Sequence, residues 1–408
     1  EEAPSPFVDE AMRQAMGEAA VNAAKACGYQ GAGTVEFIVD ERRNFYFLEM
    51  NTRLQVEHPV TEAVTGMDLV ALQLRIARGE ALPLAQEEVR ISGHAIEVRL
   101  YAEDPAQGYM PQTGPIHRWQ PARGEGIRVD DGITEGGAVT PHYDPMIAKV
   151  IAEGPDRETA RRRLIRALED TVLLGVTHNA WFLSRILAHD TFARGEATTA
   201  FLETEFQGDP SLSPLDPTTA EQALAALILY RSGATDAHQD RAGWSNSLPS
   251  PCPILLVAGE QRQWVRLTDQ RSRIDARVGD HEHSLEVVAQ SDGELIVTLD
   301  GVRQNSQYQV VGSTLYCHTK GRTQRFEDST HAPAQRADEQ GSGEIRATMD
   351  GAVVEISVTE GETVEAGQTL AVLEAMKMEH PLKADRNGIV SGIRVSTGNQ
   401  VRTRQILM

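Results

Sequence analysis

Residues 48–58 read L-E-M-N-T-R-L-Q-V-E-H, so Glu49, Asn51, Arg53, Gln55 and Glu57 alternate with Met50, Thr52, Leu54 and Val56. In an extended chain, alternate side chains share a face. These polar groups would therefore line one surface, on a segment that starts as an apolar strand (Phe45, Tyr46, Phe47, Leu48). Two carboxylates, a carboxamide and a guanidinium suit a magnesium–phosphate centre, with hard oxygen ligands for the cation and a planar fork for an oxyanion. Glu36 lies in T-V-E-F-I-V (34–39), which the turn D-E-R-R would fold back as a hairpin against 44–50. Glu36 then sits beside Glu49, and neighbouring carboxylates repel unless a cation lies between them. The competing reading is a half-exposed edge strand with an ion-paired outer face.

The second chemical feature is Lys377, held between two methionines in L-E-A-M-K-M-E-H-P-L (373–382). Around it runs an internal repeat at an offset of 37. It pairs Gly351 with Gly388, Val353 with Val390, Ile356 with Ile393 and Val358 with Val395, then Gly361 with Gly398, Val364 with Val401, Gln368 with Gln405 and Leu370 with Leu407. Each half is too small to bury its own apolar face, so the halves must pack together as a small flattened barrel with pseudo-twofold symmetry. Lys377 falls on the hairpin turn between them, an exposed tip on a rigid scaffold.

Other elements must position these groups. The spacing predicts a helix over 8–27, a second over 60–78 ending at Gly79, a strand at 94–100 and a charged helix over 156–170. Turn formers crowd 207–216, and a helix follows at 219–230. From Pro253 to Phe326 come about six to eight short alternating runs, the mark of an antiparallel barrel or sandwich. Residues 331–343 are polar, without apolar pattern, and read as a linker.

Composition bounds the class. The chain has 408 residues, 40% hydrophobic and 24% charged, enough for roughly two to four domains. A net charge of −20 argues against nucleic acid or an anionic membrane as the main partner. Cys27, Cys252 and Cys317 match no metal spacing and read as reduced, mostly buried thiols. No apolar run approaches the roughly 18 residues of a membrane span. There is no signal-peptide pattern, and Glu1 is not an initiator methionine, so the chain is expected to start inside a longer protein.

Residues 1–205 resemble the ATP-grasp biotin carboxylase family. G-A-G-T-V-E-F (31–37), E-M-N-T-R-L-Q-V-E-H-P-V-T-E (49–62), H-A-I-E-V-R-L-Y-A-E-D-P (94–105), Y-D-P-M-I-A-K (143–149) and G-V-T-H-N (175–179) match its C-terminal subdomain. The resemblance implies that Glu36 and Glu49, with Asn51 alongside, bind Mg²⁺ (or Mn²⁺) bridging the phosphates of ATP. Arg53, Gln55 and the backbone of Val56 would hold bicarbonate, and Glu57 would deprotonate it. Attack on the γ-phosphate would give carboxyphosphate, then CO₂ and phosphate. Arg99 would stabilise the ureido oxygen of biotin as its nitrogen becomes nucleophilic. It gives no chemistry to His58 and His94, which read as structural. The family's glycine-rich lid, ATP-binding lysines and first α/β subdomain find no match in this sequence, so the chain as given is expected to bind ATP poorly.

A-M-K-M (375–378) resembles the attachment motif of biotinyl domains, which makes Lys377 the site of covalent biotin attachment. Related lipoyl domains usually carry D-K-A there, so a lipoyl carrier is the weaker alternative. The implied fold class is α+β multidomain. It comprises the C-terminal part of an ATP-grasp biotin carboxylase domain (1–206), a helix-plus-antiparallel-β-barrel BT domain (207–330), a flexible linker (331–343) and an all-β biotinyl carrier domain (344–408). This order is similar to acyl-CoA carboxylase alpha subunits, whose middle domain wraps strands around a long helix and docks on a carboxyltransferase beta subunit. Pyruvate carboxylase would need a TIM barrel of about 250 residues here, where only about 130 exist.

The motifs look most like the 3-methylcrotonyl-CoA and geranyl-CoA branch, with the propionyl- and acetyl-CoA enzymes as alternatives. The beta subunit would select the acyl-CoA. Implied partners are that subunit, in an alpha6beta6 assembly, and biotin protein ligase, in the bacterial cytoplasm or the mitochondrial matrix. For the chain as it stands, a non-catalytic carrier and docking fragment is the rival reading. Thirteen linker residues reach about 20 Å r.m.s. and about 43 Å fully extended. A biotin arm alone could not join two distant sites, so the whole carrier domain is expected to swing between them.

Overall fold

A computed structural model describes residues 1–233, 249–332, 343–348, 350–375, 378–402 and 404–408. Helix α1 (Glu10–Ala26) starts where Asp9 accepts a hydrogen bond from the Met12 N–H at 2.9 Å. Strands β1 (Thr34–Val39) and β2 (Phe45–Asn51) form the expected hairpin, which sets Glu36 opposite Glu49. Its apolar side chains Ile38, Tyr46, Phe47 and Leu48 are exposed.

The single helix expected over 60–78 is two. Helix α2 (His58–Thr65) ends at Gly66, in the left-handed region at φ 69°, and α3 (Leu69–Ala77) starts at Asp68, which caps the Ala71 N–H. Gly66 and Asp68 are a stop and a start signal two residues apart. The apolar periodicity running across them concealed the break.

Strands β3 (His94–Tyr101), β4 (Ile127–Asp131) and β5 (Met146–Gly154) form an antiparallel sheet with the short strand Glu2–Ala3, in the order Glu2–Ala3, β3, β5, β4. Helix α4 (Arg157–Asp170) covers one face, packing Ala160, Leu164 and Leu168 on Ile96, Leu100 and Val150. Helix α2 covers the other, with Val60 and Val64 against Ala95. This second face carries Glu97 and Arg99, two apart on β3, with Lys149 of β5 directly across from Arg99.

Helix α5 (Thr219–Ser232) opens with a capping box, in which Thr218 and Glu221 each accept from the other's backbone N–H at 3.2 and 2.7 Å. Every residue from Gln222 to Leu229 is buried. A helix apolar all round must be enclosed, and a closed barrel of eight antiparallel strands over 252–328 encloses it. Val265, Leu267, Ile274, Leu285, Leu295, Val297, Leu315 and Phe326 point inward onto it. Each fully buried side chain of this kind contributes about 1.5–3 kcal/mol. The sequence left barrel and sandwich open; the structure is the barrel.

The barrel is joined to the first part of the chain through polar contacts that no local pattern announces. Arg118 donates to the carbonyls of Gly293 (2.8 Å) and Tyr308 (3.4 Å). His318 Nε2 lies 2.9 Å from the Glu169 carbonyl, His178 Nε2 lies 3.3 Å from Thr323 Oγ1, and the Arg322 guanidinium sits over the Trp181 ring.

In the last part, the repeat reappears as an exchange of backbone hydrogen bonds. The Val353 N–H donates to the Asn399 carbonyl and the Val390 N–H to Glu362, each at 2.9 Å. Gly398 donates to Val353 (2.7 Å) as Gly361 does to Val390 (2.8 Å), and Ala347 to Gln405 as Ala384 does to Gln368, both at 2.9 Å. In each couple, the donors and the acceptors are related by the offset of 37. Val353 and Val390, Val358 and Val395, Val364 and Val401, and Leu370 and Leu407 all enter one core. Strands β6 (Thr369–Ala375) and β7 (Met378–Lys383) pair as a hairpin with Ala375 opposite Met378. Met376 and Lys377 lie outside the described residues, as does most of the linker assigned to 331–343.

The cysteines are free: Cys317 is buried and Cys252 half-buried, but Cys27 is exposed, against the expectation of mostly buried thiols.

Candidate functional site

The β1–β2 hairpin sets the acidic end of the site. Asn51 Nδ2 donates to Glu36 Oε1 at 2.6 Å and to Glu49 Oε1 at 3.1 Å, and Gln55 Nε2 donates to the same Glu36 oxygen at 2.6 Å. Two carboxylates are thus held side by side by one shared amide donor, Asn51. Their hard oxygens, with the Asn51 side-chain oxygen, fit a divalent cation such as Mg²⁺.

The five alternating side chains do not share one extended face, as the sequence suggested. Strand β2 ends at Asn51, and Glu57 is the residue from which α2 begins, with φ −81° and ψ 7°. Glu49, Asn51, Arg53 and Gln55 still converge, because the chain beyond Asn51 turns back over Glu36. Arg53 donates to Asn51 Oδ1 (3.2 Å) and to the Leu54 carbonyl (3.4 Å). Among the described residues it meets no carboxylate, so its charge is available to an anion.

Glu57 is directed elsewhere, to the sheet. Arg99 Nη2 donates to Glu57 Oε2 at 2.9 Å, in a pair partly open to solvent. Next to it, Lys149 Nζ donates to the Val56 carbonyl at 2.9 Å and lies 3.4 Å from Asp130 Oδ2. The segment 53–57 is therefore fastened at one end to the hairpin and at the other to the sheet. Between the fastenings lie Arg53, Gln55, the Val56 backbone and Glu57, a cation and hydrogen-bonding groups beside a carboxylate base. Burial works against the charge on Arg99, but its Tyr101 and Glu57 partners outweigh it and raise the pKa above the ordinary arginine value.

Lys149 and Glu97 were not singled out from the sequence as site residues. Both stand in motifs that carried the resemblance, Y-D-P-M-I-A-K and H-A-I-E-V-R-L, which was the available signal. His94 is buried with Nε2 2.9 Å from Glu2 Oε2, and His58 Nδ1 lies 2.9 Å from the Gln55 carbonyl, so both have structural partners.

Comparison with known proteins places four family profiles along the chain. Residues 1–85 match the carbamoyl-phosphate synthase L chain ATP-binding domain and 97–204 the biotin carboxylase C-terminal domain. Residues 217–333 match the methylcrotonyl-CoA carboxylase alpha-subunit BT domain and 343–408 the biotin-requiring enzyme family.

Over its whole length the chain is 38% identical to the propionyl-CoA carboxylase alpha chain of Ruegeria pomeroyi, covering 64% of it. Over 98% of its length it is 37% identical to the mitochondrial methylcrotonoyl-CoA carboxylase subunit alpha of Mus musculus, covering 58%. It thus spans about three fifths of these relatives. Among solved structures, the biotin carboxylase domain of Hydrogenobacter thermophilus 2-oxoglutarate carboxylase, in complex with MgADP, ADP and bicarbonate, matches 53% of this chain and 47% of its own. The identity is 43% and the TM-score 0.51.

Proposed function

We propose that this chain, which carries the C-terminal ATP-grasp part of a biotin carboxylase, a BT domain and a biotinyl domain, acts in the alpha subunit of a biotin-dependent acyl-CoA carboxylase. The observation that carries this reading is the convergence of the Glu36–Glu49 hairpin and the Glu57–Arg99 pair on segment 53–57, in one chain with a helix-filled barrel and a two-fold repeat around A-M-K-M.

Arg53, Gln55 and the Val56 backbone hold bicarbonate, with the Arg53 charge offsetting that of the anion. Glu57 takes the hydroxyl proton of bicarbonate, whose oxygen attacks the γ-phosphorus of ATP. The new P–O bond forms as the bond to the ADP oxygen breaks, giving carboxyphosphate, which separates into CO₂ and phosphate. Glu36, Glu49 and Asn51 would hold Mg²⁺ or Mn²⁺, which supplies charge neutralisation at the phosphates when bound. Lys377 would carry biotin, whose ureido nitrogen would accept CO₂ as its N–H proton passes to the released phosphate. Arg99 holds a permanent positive charge beside Glu57, where negative charge on a ureido oxygen would develop. The barrel docks on a carboxyltransferase beta subunit in an alpha6beta6 assembly, and biotin protein ligase modifies Lys377.

For the acyl-CoA, we favour a branched enoyl-CoA, 3-methylcrotonyl-CoA or geranyl-CoA. The match of 217–333 to a methylcrotonyl-CoA carboxylase BT domain supports it. The near-equal identity to a propionyl-CoA carboxylase keeps propionyl-CoA as the second candidate. No described helix is long and apolar enough to cross a membrane, and the bacterial cytoplasm or mitochondrial matrix remains the proposed location.

The test is phosphate release by the full-length subunit with ATP, Mg²⁺, bicarbonate and free biotin. Release dependent on bicarbonate and biotin is expected, and its loss in Glu57→Gln. Full activity in that variant would remove the assigned base.

A further inference from the structure

Glu97 is 1% exposed, and neither of its carboxyl oxygens has a hydrogen-bond partner among the described residues. Yet it stands on β3 two residues from Arg99, on the sheet face that also carries Lys149. An ionised carboxylate left unpaired in such a place is strongly disfavoured, and the two cations on the same sheet face would be drawn to it. Both are engaged elsewhere: Arg99 with Glu57 at 2.9 Å, and Lys149 with the Val56 carbonyl at 2.9 Å and Asp130.

We propose that Glu97 is a positioning residue whose acid form reserves Arg99 for Glu57 and Lys149 for the Val56 carbonyl. The proposal rests on the reading of Glu57 and Arg99 given above and adds to it. A carboxylate there would compete for the two cations that fasten segment 53–57. The acid form leaves them free without opening a cavity.

Burial is the main cause that pushes the Glu97 pKa up to about 7, with the charges of Lys149 and Arg99 acting against it and Glu57 with it. Helix α2, which packs on this face, brings His58 and Glu62, themselves close together. Helix α4 lies on the opposite face. Ionisation of Glu97 with rising pH would then loosen both fastenings.

Two measurements test this. On this chain, a double-mutant cycle in unfolding free energy (Glu57→Gln, Arg99→Met) is run below and above neutrality, in the parent and in a Glu97→Gln background. The Glu57–Arg99 coupling should weaken at the higher pH in the parent and stay constant in the Gln background. The same pH dependence in both backgrounds overturns the proposal, and so does none in either. Should Glu97→Gln fail to fold, Glu97→Met takes its place, since the argument requires only that charge be absent.

On the full-length subunit, KM for bicarbonate should rise roughly tenfold, the equivalent of about 1.4 kcal/mol, through the same pH range in the parent only, with kcat less affected. A merely structural Glu97 would leave the variant's KM profile parallel to the parent's. If bicarbonate-dependent turnover is absent while the cycle behaves as expected, the functional reading fails and the charge assignment stands.

Discussion

Glu36 and Glu49 face each other across the β1–β2 hairpin, and one amide nitrogen, Asn51 Nδ2, donates to both at 2.6 and 3.1 Å. The amide satisfies one oxygen of each carboxylate, Oε1 in both. The arrangement explains why an isolated edge strand with paired charges is the weaker reading: neither carboxylate has a cationic side chain within salt-bridge distance among the described residues.

Glu36→Gln and Glu49→Gln should each leave the fold intact, since charge repulsion is relieved and an amide still fits beside Asn51. In the full-length subunit, each should lower ATP-dependent phosphate release by about 10²-fold or more, with the loss partly moved to a higher Mg²⁺ requirement. Metal titrations of turnover check this; unchanged Mg²⁺ dependence in both variants would exclude these residues as its ligands.

The Arg99–Glu57 pair should behave as a unit. Arg99→Ala is expected to cost about 10²–10³-fold in kcat for free-biotin carboxylation. Arg99→Lys should recover part of it, because a lysine keeps the charge but not the planar fork. Steady-state kinetics on the two variants distinguish this from a packing role, in which Lys and Ala would lose alike.

The junction between carboxylase part and barrel should be acid-sensitive. Burial, then the neighbouring His318, hold the His178 pKa at about 4, down from 6.5. The folded pKa lies below the unfolded one, so this stabilisation is complete above about pH 6.5 and is lost as pH falls through about 4. Between about pH 7 and about pH 5, the parent should lose about 2 kcal/mol that His178→Gln does not. Urea unfolding at the two pH values measures it; equal losses would contradict the assignment.

Much of this was legible locally. The hairpin that pairs Glu36 with Glu49 follows from two alternating runs and a D-E-R-R turn, and the flattened barrel from eight identities at one offset. The helix over 219–230 was readable in the sequence, while its cap was not read there and its enclosure by strands came only from the resemblance. What stayed hidden depends on long-range packing. Arg118 reaches carbonyls 175 and 190 residues away, and Lys149 fastens Val56 across 93 residues. No periodicity encodes such contacts. The α2–α3 break was hidden differently: Gly66 and Asp68 were visible, but the apolar spacing continues across them.

The attachment site is open to a simple check. After co-expression with biotin protein ligase, the intact mass should rise by one biotinyl group and not by a lipoyl group, and Lys377→Arg should abolish the gain. A second label retained in that variant would mean the carrier lysine lies elsewhere.

The central claim is most directly tested by co-purifying the full-length subunit with its carboxyltransferase partner and following labelled bicarbonate into a panel of acyl-CoAs. The account predicts ATP-dependent incorporation, strongest into a branched enoyl-CoA and lost in Lys377→Arg. Fully biotinylated complex that releases phosphate yet carboxylates none of the acyl-CoAs would contradict it.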